Sequence, residues 1–170
     1  MLLAKIATVL SFVLGPFCHA IASSKSFDNA LALIESQSDL TLFARLVRRD
    51  PELVKLYSSA KDVTIVAAVD SPFPDAETSA IIYSNKAYIR GVLQDTVIEG
   101  QYPTKAITTS PIYANTKLSN PRFVNTLRGR AVAKLIERDG KKTVDIGVGN
   151  SANITQGVCP PKHRDDWPMN

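Results

Sequence analysis

The chain has 170 residues, with 20 Lys and Arg against 16 Asp and Glu, for a formal net charge of +4. That length suits one domain with a real hydrophobic core. Mild basicity spread along the chain, without an aromatic-basic motif, argues against nucleic acid as a partner. Its only cysteines and histidines are Cys18, His19, Cys159 and His163. Nothing between Ser23 and Gly157 can therefore build a Ser-His or Cys-His nucleophile pair, or a histidine zinc site.

Residues 1–22 have the layout of a secretory leader. Lys5 precedes an apolar core, Ile6 to Leu14, which is too short to span a bilayer, and Ala20-Ile21-Ala22 fits a small-x-small site with cleavage after Ala22. The alternative is a genuine N-terminal buried helix. Cleavage would remove Lys5, Cys18 and His19, lowering the charge by one and leaving Cys159 without an intramolecular partner, so the fold would hold by burial alone. No later stretch approaches the roughly 18 apolar residues that cross a membrane. The polar end, Lys162 to Asn170, lacks a lipid-anchor tail. The expectation is a soluble, secreted product with no transmembrane segment.

Three short helices open the remainder. Ser26 precedes the stripe Phe27, Ala30, Leu31 and Ile34; Asp39 is placed to cap a second helix with the stripe Leu40, Phe43, Ala44 and Val47; Asp50-Pro51 starts a third with Leu53, Val54 and Tyr57 inward. Arg45, Arg48 and Arg49 fall on the polar side of the second helix, as a solvated face or, alternatively, a polyanion site. Val63 to Val69 is a β-branched apolar run ending at Asp70-Ser71-Pro72, which reads as a strand buried on both faces. Asp75 to Gly91 is weakly helical, best around Tyr88, Ile89, Val92 and Leu93. Thr96 to Glu99 reads as a short strand closed by Gly100, and Gln101 to Pro121 as loop with one short strand near Ile112. Arg130 to Arg138 alternates without declaring which face is buried. Asp139-Gly140 is the strongest hairpin signal, returning through Thr143 to Val148, and Asn153-Ile154-Thr155 opens another strand. Helices in front and strands behind predict an α+β domain.

The segment Thr64-x-x-Ala67-x-x-Asp70-x-x-Phe73 resembles the first signature of fasciclin-type (FAS1) adhesion domains, with Ala68 where the family usually has proline. Leu93 to Gly100, including Val97, is similar to the family's Leu-x-Tyr-His-Val-Leu-x-Gly segment, although Asp95 and Thr96 stand where the Tyr-His pair is common. Leu40 to Phe43, Phe123 to Leu127 and Gly147 to Thr155 also resemble family phrases in the right order. The resemblance implies short N-terminal helices packed on a mostly antiparallel β-sheet or wedge, a fasciclin-like domain over 23–157 and an irregular tail over 158–170. Thr64, Ala67, Asp70, Phe73, Leu93, Val97 and Gly100 would be structural motif residues. It further implies non-catalytic adhesion to cell-surface, wall or matrix components, protein or polysaccharide, with no cofactor. The family's closing strand is shortened or missing, which implies an open sheet edge prone to self-association and a less stable domain.

Other chemistry is limited. Asp70, Asp75 and Glu77, joined by Glu99, could in principle drive carboxylate-dependent hydrolysis; the competing reading of Asp70 is a turn acceptor. Cys159 and His163 are too few for a metal site. Asn153-Ile154-Thr155 is an N-glycosylation acceptor triplet. The alternative function is thus a secreted carboxylate-dependent hydrolase or carbohydrate-binding protein.

Overall fold

The structure, a computed structural model, describes residues 17–23, 30–70, 84–119, 131–146 and 150–158. The expected positions of Ser26, Phe27, Phe73, Asp75, Glu77, Cys159, His163 and the 123–127 phrase lie outside the described residues.

The three opening helices form where apolar spacing and caps place them. α1 spans Ala30–Glu35 and buries Ala30, Leu31 and Ile34; α2 spans Thr41–Arg48 and buries Phe43, Ala44, Leu46 and Val47; α3 spans Pro51–Ser59 and buries Leu53 and Tyr57. Asp50 caps α3 by accepting from Glu52 N–H at 2.9 Å, with Pro51 in the first turn. Asp39 does not cap α2: the residue at the cap position is Leu40, whose own side chain offers no acceptor. The acceptor comes from Asp70 instead, 28 residues away (see below).

β2, Val63–Ala68, is buried along nearly its whole length, as a β-branched run with turn formers behind it predicts. α4 spans Lys86–Asp95, capped by Asn85, whose side chain accepts from Tyr88 N–H at 3.0 Å. It ends later than its sequence suggested, because Gly91 is buried inside it and does not stop it, while residues 75–83 of the expected helical stretch lie outside the described residues. β3, Val97–Glu99, follows at once, then a 3₁₀ turn, Thr104–Ala106, and β4, Ile112–Asn115. β5, Val132–Arg138, and β6, Lys141–Ile146, form the expected hairpin. Asp139 and Gly140 both take positive φ, 51° and 72°, the backbone that a two-residue turn of this twist requires. β7, Asn150–Val158, completes the rear sheet and reaches one residue into the segment read as tail.

One strand precedes all of these. Phe17–Ser23, β1, lies between β2 and β7, in residues that the sequence reading gave to the end of the leader. It runs antiparallel to β2, from Cys18↔Ala68 to Ser23↔Val63, and parallel to β7, with a register shift between Cys18 and His19. The edge of β7 that a missing closing strand would leave bare is thus occupied.

The sheet has the order β3-β2-β1-β7-β6-β5-β4, and every pairing except β1–β7 is antiparallel. Its two ends meet. Ile98 bridges Thr116, and Lys117 N–H donates to Val97 O at 2.8 Å, so the sheet curls nearly closed. With β1 seated, the outermost strands are short and bridged to each other, which leaves no long bare edge among the described strands for self-association.

Curling creates two cores. Val66, Ile98, Ile107, Ala114, Ala133, Leu135, Val144, Ile146 and Ala152 fill the inside of the curl. Val63, Ile65, Ala67 and Val97, on the opposite face of β2 and β3, pack against the helices. The alternation along β2 therefore serves both layers. The same register settles β5, where Ala133 and Leu135 point in while Val132 and Lys134 point out. The coarse prediction holds, an α+β domain with a mostly antiparallel sheet, although β1 precedes the helices and α4 lies between β2 and β3.

Candidate functional site

The motif carboxylate Asp70 lies two residues beyond the end of β2 and turns toward α2. Both of its oxygens accept from Leu42 N–H, at 3.0 and 3.2 Å, while its own N–H donates to Asp39 O at 2.7 Å. A negative charge at the positive end of a helix dipole is favourable. Asp70 thus locks the strand to the helix layer. Thr64 and Gly100 form a second lock: Thr64 Oγ1 donates to Gly100 O at 2.9 Å and accepts from Tyr102 N–H at 2.8 Å. Ala67, Leu93 and Val97 are buried in the helix-side core. Each described motif residue has a structural task.

A catalytic carboxylate pair does not assemble from Asp70 and Glu99. Glu99 stands opposite Val63, at the other end of β2 from Asp70. Seven residues of extended chain place them roughly 20 Å apart, beyond the about 5–9.5 Å that glycoside hydrolysis uses. Glu99 is held instead by Lys117 Nζ at 2.8 Å. Among the described residues no group of three His, Cys, Asp or Glu is arranged to hold a metal ion. None of their helices is long and apolar enough to cross a membrane.

Asp95 and Thr96 are interior. Asp95 is buried and accepts from Thr116 Oγ1 at 2.6 Å, beside the bridge that closes the sheet. Burial pushes its carboxyl above the usual range, and the Thr116 hydroxyl offsets only part of this. Thr96 Oγ1 shares a buried contact with Tyr57 OH at 2.8 Å, and both hydroxyls reach Leu93 O. Local pattern could not reveal these partners, which lie 21 and 39 residues away. Asp50 moves the other way: burial alone would raise it, but Arg90 Nε at 2.7 Å and the backbone donors of α3 hold it below the ordinary value.

Asp95 has a pH signature. A carboxyl whose folded pKa exceeds its unfolded one binds its proton more tightly in the folded state, so stability falls as pH rises from the ordinary carboxylate value through the raised one. Asp95→Asn keeps an acceptor for Thr116 and removes that loss. We expect the variant to melt higher than the parent at pH 7, with the gap narrowing toward pH 4. A gap independent of pH would show that Asp95 is not penalised for its charge.

What the described surface does present is an uncovered sheet face. Tyr113 is 65% exposed and Val132 44% exposed, the largest such apolar groups among the described residues. The register pairs Tyr113 with Lys134 and Asn115 with Val132, so the two are diagonal neighbours on one face. Lys134 Nζ sits 5.8 Å from the Tyr113 ring centroid. Asp145, opposite Lys134, continues the face into β6 and is bound by Arg138 at 2.9 Å. Among the described residues, the helices cover β2 and β3, not this side. Asn153, the sequon residue, is half-buried on β7 opposite Thr143. Arg45, Arg48 and Arg49 are exposed on α2, with Arg48 donating to both oxygens of Glu35 at 2.6 and 2.9 Å, so part of that group is a local ion pair.

Against family models, curated proteins and solved structures, the chain has no match.

Proposed function

We propose that this chain is a secreted, non-enzymatic adhesion or interaction domain of fasciclin type, acting at a cell surface, wall or extracellular matrix. The element order supports the family reading. After β1, short helices lead into β2 and Asp70, which is locked to them, then comes a helix running into Leu93–Gly100, then a hairpin. The observation that carries the binding role is the exposed pair Tyr113 and Val132 beside Lys134 on a face that no described helix covers. An aromatic ring, a short aliphatic group and a cation together make a contact patch suited to protein or polysaccharide. Nothing in the placement of Asp70 and Glu99 favours the hydrolase alternative.

The test is retention on immobilised wall polysaccharide and on immobilised matrix protein. Tyr113→Ser combined with Val132→Ser is expected to weaken retention at least tenfold, on the scale of lost interface anchors, while leaving the fold intact. Asp70→Asn with Glu99→Gln should bind as the parent does. Equal retention by the Tyr113/Val132 variant would remove the patch, and turnover of a polysaccharide abolished by the amide pair would replace adhesion with hydrolysis.

A further inference from the structure

β1 is unlike the other strands in how it is held. It is the first described element, yet it sits in the middle of the sheet, with register partners from Val63 to Ala68 on one side and from Asn153 to Val158 on the other. No hairpin ties it to either neighbour; residues 24–29 lead from it to α1. The rest of the sheet has its own continuity. β4, β5, β6 and β7 form an antiparallel run, β2 pairs with β3, and the two groups join at the Ile98–Thr116 bridge. Taking β1 away leaves a curl with one gap a single strand wide, bounded by two facing rows of backbone donors and acceptors.

We propose that the gap between β2 and β7 is a strand-accepting site whose ligand is the segment Phe17–Ser23, held by main-chain pairing and able to bind in trans as a free extended peptide. Recognition is of the strand-addition kind, in which backbone hydrogen bonds supply affinity. Here both edges of the guest are paired, antiparallel on one side and parallel on the other. With β1 absent, ladder groups along both edges of the gap would lose their partners, so the site favours being filled.

One consequence rests on the leader reading. Ala20, Ile21 and Ala22 form the small-x-small site, and in the sheet they pair with Val66, Ile65 and Thr64. A peptidase needs that backbone free and extended. Seating of β1 and cleavage after Ala22 therefore exclude each other, and a cleaved chain exports an empty site.

The experiment uses the full chain with a protease recognition sequence inserted between Ser24 and Lys25. After folding and nicking, native mass spectrometry is expected to show the N-terminal fragment retained at one per body. A labelled Phe17–Ser23 peptide should displace it saturably at the same stoichiometry. A peptide carrying Ala20→Pro, which lacks one ladder N–H, should bind at least tenfold more weakly, and a scrambled peptide likewise. Release of the fragment with no peptide uptake, or equal binding by the scrambled peptide, overturns the proposal. A second measurement covers the case where the nicked protein unfolds: in the intact chain, amides of residues 17–23 should be protected from hydrogen exchange as well as those of β5 and β6. Exchange at unprotected rates overturns it as well. None of these readouts depends on export, so failure of the leader reading shows separately, as an exported protein whose N-terminal mass retains residues 1–22.

Discussion

Replacing Tyr57 by alanine is expected to destabilise the domain by about 3–5 kcal/mol, the range for deleting a fully buried aromatic side chain. Tyr57 is fully buried and meets Phe43 edge-on, with ring centroids 6.0 Å apart and an interplanar angle of 68°. It links α3 to α4 through its hydroxyl contacts with Leu93 O and Thr96 Oγ1, both at 2.8 Å. Burial also pushes its phenol well above the ordinary range, so it stays neutral across any working pH. The hydroxyl and the ring separate cleanly. In Tyr57→Phe, Thr96 Oγ1 still donates to Leu93 O at 2.9 Å, so no carbonyl is orphaned and the loss should be about 0.5–1.5 kcal/mol. Against a total stability of about 5–15 kcal/mol, the alanine variant should be partly unfolded at moderate denaturant while the phenylalanine variant is not. Denaturant midpoints that coincide for the two would show that the hydroxyl network, not ring packing, holds this junction.

Gly100→Ala should be the second most damaging single change. Gly100 has φ of +102°, outside the region L-residues adopt readily. A Cβ there would lie 2.8–2.9 Å from the Tyr102 ring and hydroxyl. Backbone strain of this kind costs of order 1–3 kcal/mol. Tyr102 would also have to swing away from the inner core it packs against. The disturbance reaches β2 directly, because Gly100 O is the acceptor for Thr64 Oγ1 and Gly100 N–H donates to Asp62 O at 2.9 Å. A fall in melting midpoint of roughly 5–10 °C is expected. Gly140→Ala provides the contrast. Its φ is also positive, but nothing lies within 4 Å of the added Cβ, so it should suffer backbone strain alone. If Gly140→Ala falls as far as Gly100→Ala, the Tyr102 contact contributes nothing.

Local signals account for what was legible beforehand. Asp50-Pro51, the β2 run and Asp139-Gly140 each specify structure within a few residues, and each formed as read. β5 shows where that stops. Val132 and Ile136 are as apolar as Ala133 and Leu135, so its inward face is chosen by pairing with β4 and β6 rather than by its own alternation. The α2 cap fails for a similar reason. Asp39 is adjacent in sequence, but the acceptor that reaches Leu42 N–H comes from the end of β2. Phe17–Ser23 illustrates a third limit. A short run of small and apolar residues satisfies both a cleavage motif and a strand, and composition cannot rank the two. The exposed patch at Tyr113 and Val132 was invisible for want of the register that puts them side by side.

The position of β1 also sets a timetable. Its residues leave the ribosome before those of every other described element, yet one of its two neighbours is β7, the last described strand to be made. Contacts so distant along the chain are slow to form, because loop closure must be met before they are rewarded. The β5–β6 hairpin can assemble while translation proceeds, whereas the sheet as a whole cannot zip shut until β7 has been made. That interval leaves the N-terminal segment unengaged and open to capture by other factors during synthesis, a window that a strand in any other position of this topology would not need.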